Sequence, residues 1–163
     1  MPILTDDMKR LVRVQRLGYV ATVSSDGHPS VSPKGSVAVW DDDHLIFADV
    51  ESPRTIRNLD SNSHIEVNVV DPEVRKGYRF SGTAKVLRSG DDYWKILGHY
   101  KAEGADVRRV RAIVVMEVTQ AVAVISPTYL SGLTEDEVRA LWIEWHRKSS
   151  DKMVVDLIPP NDF

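Results

Sequence analysis

Apolar segments of strand length follow one another at hairpin spacing through the first half of this chain, and that spacing limits the folds open to it. Tyr19 to Ser24 is β-branched and aromatic, Ser25-Asp26-Gly27 reads as a hairpin turn, and Val31 to Trp40 reads as the return strand, interrupted by Pro33 and Gly35. Asp41-Asp42-Asp43 turns the chain again before the short apolar strand Leu45-Ile46-Phe47-Ala48. Antiparallel neighbours can be joined by such short turns, whereas parallel strands need crossovers of about a dozen residues or more. A doubly wound parallel sheet is therefore disfavoured, and no GxGxxG or P-loop stretch supports one.

The remaining elements complete an α+β pattern. Asp6 and Asp7 favour a helix start, with Met8, Leu11 and Val12 as its apolar stripe. Ile65, Val67 and Val69 alternate with polar residues as in a half-buried strand, and Tyr78 to Leu87 is a further long strand. Ser89 and Asp92 open a helix carrying Tyr93, Ile96, Leu97 and Tyr100, with Gly104 as its stop. Ala112 to Ile125 is Val-rich and strand-like. Thr134 and Glu137 form a capping box, Leu133 and Val138 a hydrophobic staple, and Val138, Leu141, Trp142 and Trp145 the buried face of a last helix. Six or so strands with peripheral helices predict an antiparallel barrel. With no repeat, linker or low-complexity stretch, the expectation is a single domain over residues 1–163.

Composition narrows the chemistry. The chain has 21 basic and 24 acidic residues, a net charge of −3, so no global field draws it to nucleic acid. Zero cysteines exclude disulfides, thiolate catalysis and Cys-based metal sites. No apolar run reaches the roughly 20 residues of a membrane-spanning helix. Residues 1–10 lack the layout of a signal peptide, so the expected location is cytoplasmic.

One segment reads as an anion site. In Ser52-Pro53-Arg54-Thr55-Ile56-Arg57, Ser52 suits the N-cap and Pro53 the first helical position. The amides of Arg54 and Thr55 then point out of the positive end of a helix, and Arg54 can add a charged fork to a phosphate. The competing and more common arrangement is a capped surface helix with solvated arginines. One hairpin upstream, Ser32-Pro33-Lys34-Gly35-Ser36 places proline and glycine in a strand pattern, which marks a bulge, an edge or the close approach of a ligand. Lys34 would add positive charge there.

Other candidates are weaker. His28, His44, His64, His99 and His146 show no metal-binding spacing, and no metal site is expected. Asp41-Asp42-Asp43 lacks the glycine and terminal glutamate of a calcium loop. No Ser/His/Asp set is identifiable, so no catalytic acid, base or nucleophile is assigned. Arg108, Arg109 and Arg111 read as a solvated cluster. Phosphate binding without acid–base groups suits a protein whose cofactor performs the chemistry.

Taken in order, the motifs resemble the pyridoxamine 5′-phosphate oxidase-like, FMN-binding split-barrel family. The resemblance runs over residues 10–90, from Leu17-Gly18-Tyr19-Val20-Ala21-Thr22-Val23 and Ser25-Asp26-Gly27-His28-Pro29 through Ser32-Pro33-Lys34-Gly35 and Leu45-Ile46-Phe47-Ala48-Asp49. It continues with Ser52-Pro53-Arg54-Thr55-Ile56-Arg57-Asn58-Leu59 and closes at Phe80-Ser81-Gly82-Thr83-Ala84. It implies a homodimeric split barrel with FMN in a groove between subunits. Ser32, Pro33, Lys34, Gly35 and Ser36 would border the ring system, Phe47 and Ala48 would flank the ribityl chain, and Ser52, Arg54, Thr55 and Arg57 would hold the phosphate.

Departures are specific. Pro53 replaces the first of two basic residues at the family's phosphate turn, a family glutamine before the Gly82 strand is replaced near Gly77, and the C-terminal part does not match the oxidase. They point away from pyridoxamine phosphate as substrate. The implied activity is hydride or two-electron transfer on a different small molecule. F420 or haem on the same barrel, and a non-catalytic flavin carrier or sensor, are the alternatives; haem would need His28 or His44 to face a cavity.

Overall fold

In the computed structural model, which describes residues 2–156 and side chains through residue 150, seven strands join in one sheet. They are β1 (Gly18–Val23), β2 (Pro29–Lys34), β3 (Ala38–Val39), β4 (His44–Asp49), β5 (His64–Asp71), β6 (Lys76–Leu87) and β7 (Ala112–Ile125). Four α-helices accompany them: α1 (Asp6–Gln15), α2 (Pro53–Ser61), α3 (Asp91–Ala102) and α4 (Glu135–Asp156). The strand order is β2-β1-β5-β6-β7-β4-β3.

The two edge strands, β2 and β3, are neighbours in sequence with only residues 35–37 between them. Four residue steps span at most about 14 Å. Seven strands laid flat would hold their edges about 29 Å apart at the usual strand spacing. The sheet must therefore curl until its edges nearly meet, and the fold is an α+β split barrel of antiparallel strands. The expected return strand from Val31 to Trp40, interrupted at Pro33 and Gly35, is corrected here to two strands with different partners. Gly35-Ser36-Val37 breaks it into β2, paired with β1, and β3, paired with β4.

The described chain divides into two compact units, residues 2–70 with 77–123, and residues 71–76 with 124–156. The first holds the barrel. Leu45, Phe47, Val67, Phe80 and Met116 belong to a buried cluster that fills its interior. Alternate β4 residues Ile46 and Ala48 face the other way and pack with Tyr93, Ile96 and Tyr100 of α3. Thr5 caps α1, where Leu11 and Val12 are buried as expected.

In the second unit the α4 capping box forms as the sequence predicts: Thr134 N donates to Glu137 Oε2 at 2.7 Å and Glu137 N to Thr134 Oγ1 at 3.4 Å. Val138 is fully buried. Leu141 and Trp145, expected on the buried face, are instead 49% and 53% exposed. The Arg75 guanidinium lies 3.7 Å from the Trp142 ring centre, so the packed side of the helix runs through Val138 and Trp142, one helical step of four residues apart.

Strand β6 crosses β7 very closely at Gly82, where a Cβ would sit 1.9 Å from the Glu117 carbonyl oxygen. Gly82→Ala is expected to cost about 3 kcal/mol, the upper end of overpacking effects. A urea midpoint unchanged by the substitution would show that the strands can separate there without penalty.

Candidate functional site

The split is built around a buried amine. Ser32 and Lys34 of β2 lie opposite Val20 and Gly18 of β1, on the inward face. Lys34 is only 5% exposed. Its ammonium donates to Ser32 Oγ and Ser52 Oγ, both at 2.6 Å, and so ties β2 to the start of α2. Burial pushes its pKa below the usual lysine range, while the Asp49 carboxylate opposes that shift. Asp49, itself buried, accepts the Ser52 N–H at 2.7 Å.

These bonds change the role of Ser52. It occupies the N-cap position, but its side chain makes no capping bond to the helix, contrary to the sequence reading. Its hydroxyl oxygen is taken by Lys34, and its backbone oxygen accepts from Ile56. The amides of Arg54 and Thr55 have no hydrogen-bond partner among the described residues. The Arg54 and Arg57 guanidiniums are likewise unpaired, and exposed. A hydroxyl that accepts from an ammonium must aim its own proton elsewhere. Ser32 and Ser52 can therefore present polarised O–H donors beside an open helix end, an arrangement that binds anions.

The remaining predicted residues divide by burial. Pro33 and Gly35 are exposed at the split. Ser36 is held from two sides: its hydroxyl bonds the Ala48 backbone, accepting from N at 3.0 Å and donating to O at 3.3 Å, while its carbonyl accepts from Tyr100 Oη at 2.7 Å. Burial raises the Tyr100 pKa, which keeps the phenol a donor. Phe47 packs in the barrel core at 1% exposure, and Ala48 is 8% exposed beneath α3. Thr55 is buried at the head of α2.

Sequence reasoning passed over several partners. Asn58 donates to Thr22 Oγ1 at 2.9 Å inside the protein and fastens α2 to β1. Arg54, Arg57, Asn58 and Ser61 share one face of α2, and that face looks across a cleft of about 650 Å³ at Ser24, Ser25, Asp26 and His28 of the β1–β2 turn. The α2 residues could have been grouped by helical spacing. The opposing turn could not, because only the fold brings it there.

A second cleft, of about 550 Å³, lies apart from all of these. Trp40 and His44 flank it, Leu87, Ile96 and Val115 give it an apolar lining, and Lys85 and Lys95 stand at it with Asp92 and Glu117. His44 Nδ1 lies 2.8 Å from Asp41 Oδ1, which leaves Nε2 as the free ring nitrogen. No group of metal-ligating side chains occurs among the described residues. No described helix is long and apolar enough to cross a membrane.

A split barrel with unpaired donors at the start of α2 is thus the class that fold and site define. The family model for pyridoxamine 5′-phosphate oxidase matches residues 4–124, and the chain belongs to that family. HupZ from Group A Streptococcus is 32% identical, with a TM-score of 0.65 over 72% of this chain and 90% of its own. An oxidase-like member of the family from Lactobacillus delbrueckii is 26% identical, with a TM-score of 0.64 over 75% of this chain and 95% of its own.

An FMN-binding protein from Syntrophomonas wolfei shares the fold at 14% identity, with a TM-score of 0.62 over 76% of this chain and 87% of its own. So do an F420 reductase at 21% identity (TM-score 0.57) and the haem storage protein HutZ from Vibrio cholerae at 16% (TM-score 0.61). Among curated proteins, none matches this sequence.

The depressed pKa of Lys34 carries a sign. Below it the buried ammonium opposes folding; as pH rises from there toward the unfolded value of about 10.4, the unfolded chain binds more protons and stability increases. Lys34→Met is expected to leave Tm at pH 7 unchanged or higher, since it removes a desolvated charge of similar volume. A lower Tm would mean that the two serine bonds outweigh desolvation.

Proposed function

We propose that the protein is an FMN-dependent oxidoreductase acting on a small molecule by two-electron transfer. The observation that carries this reading is the set of unfilled donors at the start of α2: two open amides, the Arg54 guanidinium, and the serine hydroxyls backed by Lys34. Together they match the terminal phosphate of a flavin mononucleotide. Ser52, Arg54 and Thr55 hold that phosphate, with Arg57 beside it. Pro33, Gly35 and Ser36 border the ring, and Phe47 and Ala48 supply the strand on which Ser36 is fastened.

Bound FMN would supply the hydride chemistry. The chain's own work is to bind and orient it and to keep positive charge near its anionic end. Lys34 does this from behind Ser32 and Ser52. The exposed apolar side chains Tyr19 and Val31 share the outer face of β1 and β2 with Ala21 and Val23, and support a homodimer with the cofactor at its interface. A cytoplasmic location belongs to the same reading.

FMN titration followed by flavin fluorescence tests it. Saturable binding is expected, weakened about tenfold or more in Arg54→Ala, a loss of about 1.4 kcal/mol or more. Affinity should also fall as pH rises through the lowered Lys34 pKa, and Lys34→Met should bind weakly with that pH dependence removed. A folded protein that ignores FMN sinks the assignment. Binding without turnover of NAD(P)H or oxygen would instead identify a flavin carrier or sensor.

His44 favours a second reading, haem. Its Nδ1 is held by Asp41, as in ligating histidines oriented by a carboxylate, and Nε2 is left for iron beside a cleft with one apolar wall of Leu87, Ile96 and Val115, where Lys85 and Lys95 stand with Asp92 and Glu117. Haem titration should then give a Soret shift that His44→Ala abolishes; an identical spectrum in the variant removes this reading.

A further inference from the structure

The second cleft, of about 550 Å³, sets its apolar wall of Leu87, Ile96 and Val115 beside charged side chains of both signs that do not pair with one another. Asp92 and Lys95 stand three residues apart on α3. The same spacing, acid first, gives ion pairs at Asp7–Arg10 (2.7 Å) and Glu144–Arg147 (3.0 Å). Lys95 instead places its ammonium 5.3 Å from the centre of the Trp40 ring, which also makes an edge contact with His99. Across the sheet, Glu117 of β7 lies directly opposite His44 of β4. The imidazole does not pair with it, because Nδ1 is held by Asp41 at 2.8 Å. A neutral ring with its proton on Nδ1 presents Nε2 as an acceptor. Lys85, on the same face of β6 as Leu87, has no partner among the described residues. The cleft thus joins an apolar wall to two ammoniums and two carboxylates that lack ionic partners among the described residues.

We propose that this cleft binds a free amino acid with a large apolar side chain. That side chain lies on the apolar wall, with Trp40 at its edge. The ligand's carboxylate meets Lys85 and Lys95, and its ammonium meets Glu117 and His44 Nε2. A zwitterion satisfies both sets of charges at once, whereas a ligand of one sign is drawn by one set and repelled by the other. The cleft volume falls within the range of roughly 300–1,000 Å³ usual for small-molecule sites. The inference does not depend on the flavin. It is an alternative to haem in the same cleft, and the test separates the two.

Calorimetric titration of the purified protein with L-phenylalanine, phenethylamine and 3-phenylpropionate tests it. The two analogues keep the ring and lack, in turn, the carboxylate and the ammonium. Saturable binding of phenylalanine is expected, at least tenfold tighter than that of either analogue. Lys85→Gln should weaken phenylalanine and leave phenethylamine unchanged, while Glu117→Gln should weaken phenylalanine and leave 3-phenylpropionate unchanged. Both side chains are exposed, so both variants should fold, which circular dichroism checks. A folded protein that ignores phenylalanine, equal affinity for all three ligands, or phenylalanine binding untouched by both variants would each overturn the proposal. A Soret shift lost in His44→Ala, in a protein that ignores phenylalanine, would overturn it in favour of haem. Saturation with FMN should leave phenylalanine affinity unchanged, so failure of the flavin reading and failure of this one are seen apart.

Discussion

Three residues, Gly35-Ser36-Val37, join the two edges of a seven-stranded sheet, and most of the molecule's functional geometry follows from that short link. A tether this short forces the sheet to curl, and it leaves the barrel open at one seam. The chain closes that seam with side chains rather than with a strand ladder. The Lys34 ammonium bridges to α2, the Ser36 hydroxyl to β4, and Tyr100 reaches from α3 to the Ser36 carbonyl. Polar groups that would otherwise be buried and unpaired are satisfied in this way, and the same groups shape the start of α2.

The seam explains why a lysine is buried at all. A desolvated ammonium opposes folding, and among the described residues no carboxylate makes a direct hydrogen bond to Lys34 to compensate. Its two bonds go to serine hydroxyls, with Asp49 acting only through its field. A purely structural seam could use an apolar residue there. Retaining the charge makes physical sense where an anion completes the cluster, since the anion would restore the ammonium's lost stabilisation. The amides of Arg54 and Thr55, also without a partner among the described residues, lie at the same helix start and are the physical basis of the proposed phosphate site.

Much of this was legible in one sequence. Turn residues at hairpin spacing, apolar alternation in β5 and the capping box of α4 each report local backbone preferences, and the elements formed close to where those preferences put them. The helix that starts at Pro53 was legible because proline suits the first helical position. Errors fell where local pattern meets long-range geometry. Val31 to Trp40 read as one strand because propensity does not register a change of pairing partner. Leu141 and Trp145 read as core because helical spacing shows which residues share a face, not whether anything covers it.

By itself, then, the sequence determined the element types and the antiparallel class, since these depend on backbone propensity and side-chain chemistry within a few positions. Tertiary structure alone decided which of them meet. It set Lys34 against Ser52, 18 residues away, and turned the β1–β2 hairpin toward the Arg54–Arg57 face of α2. It also converted Ser52 from a helix cap into a lysine acceptor. The reason is physical: such pairings depend on the curl of the whole sheet, a property no short stretch of sequence carries.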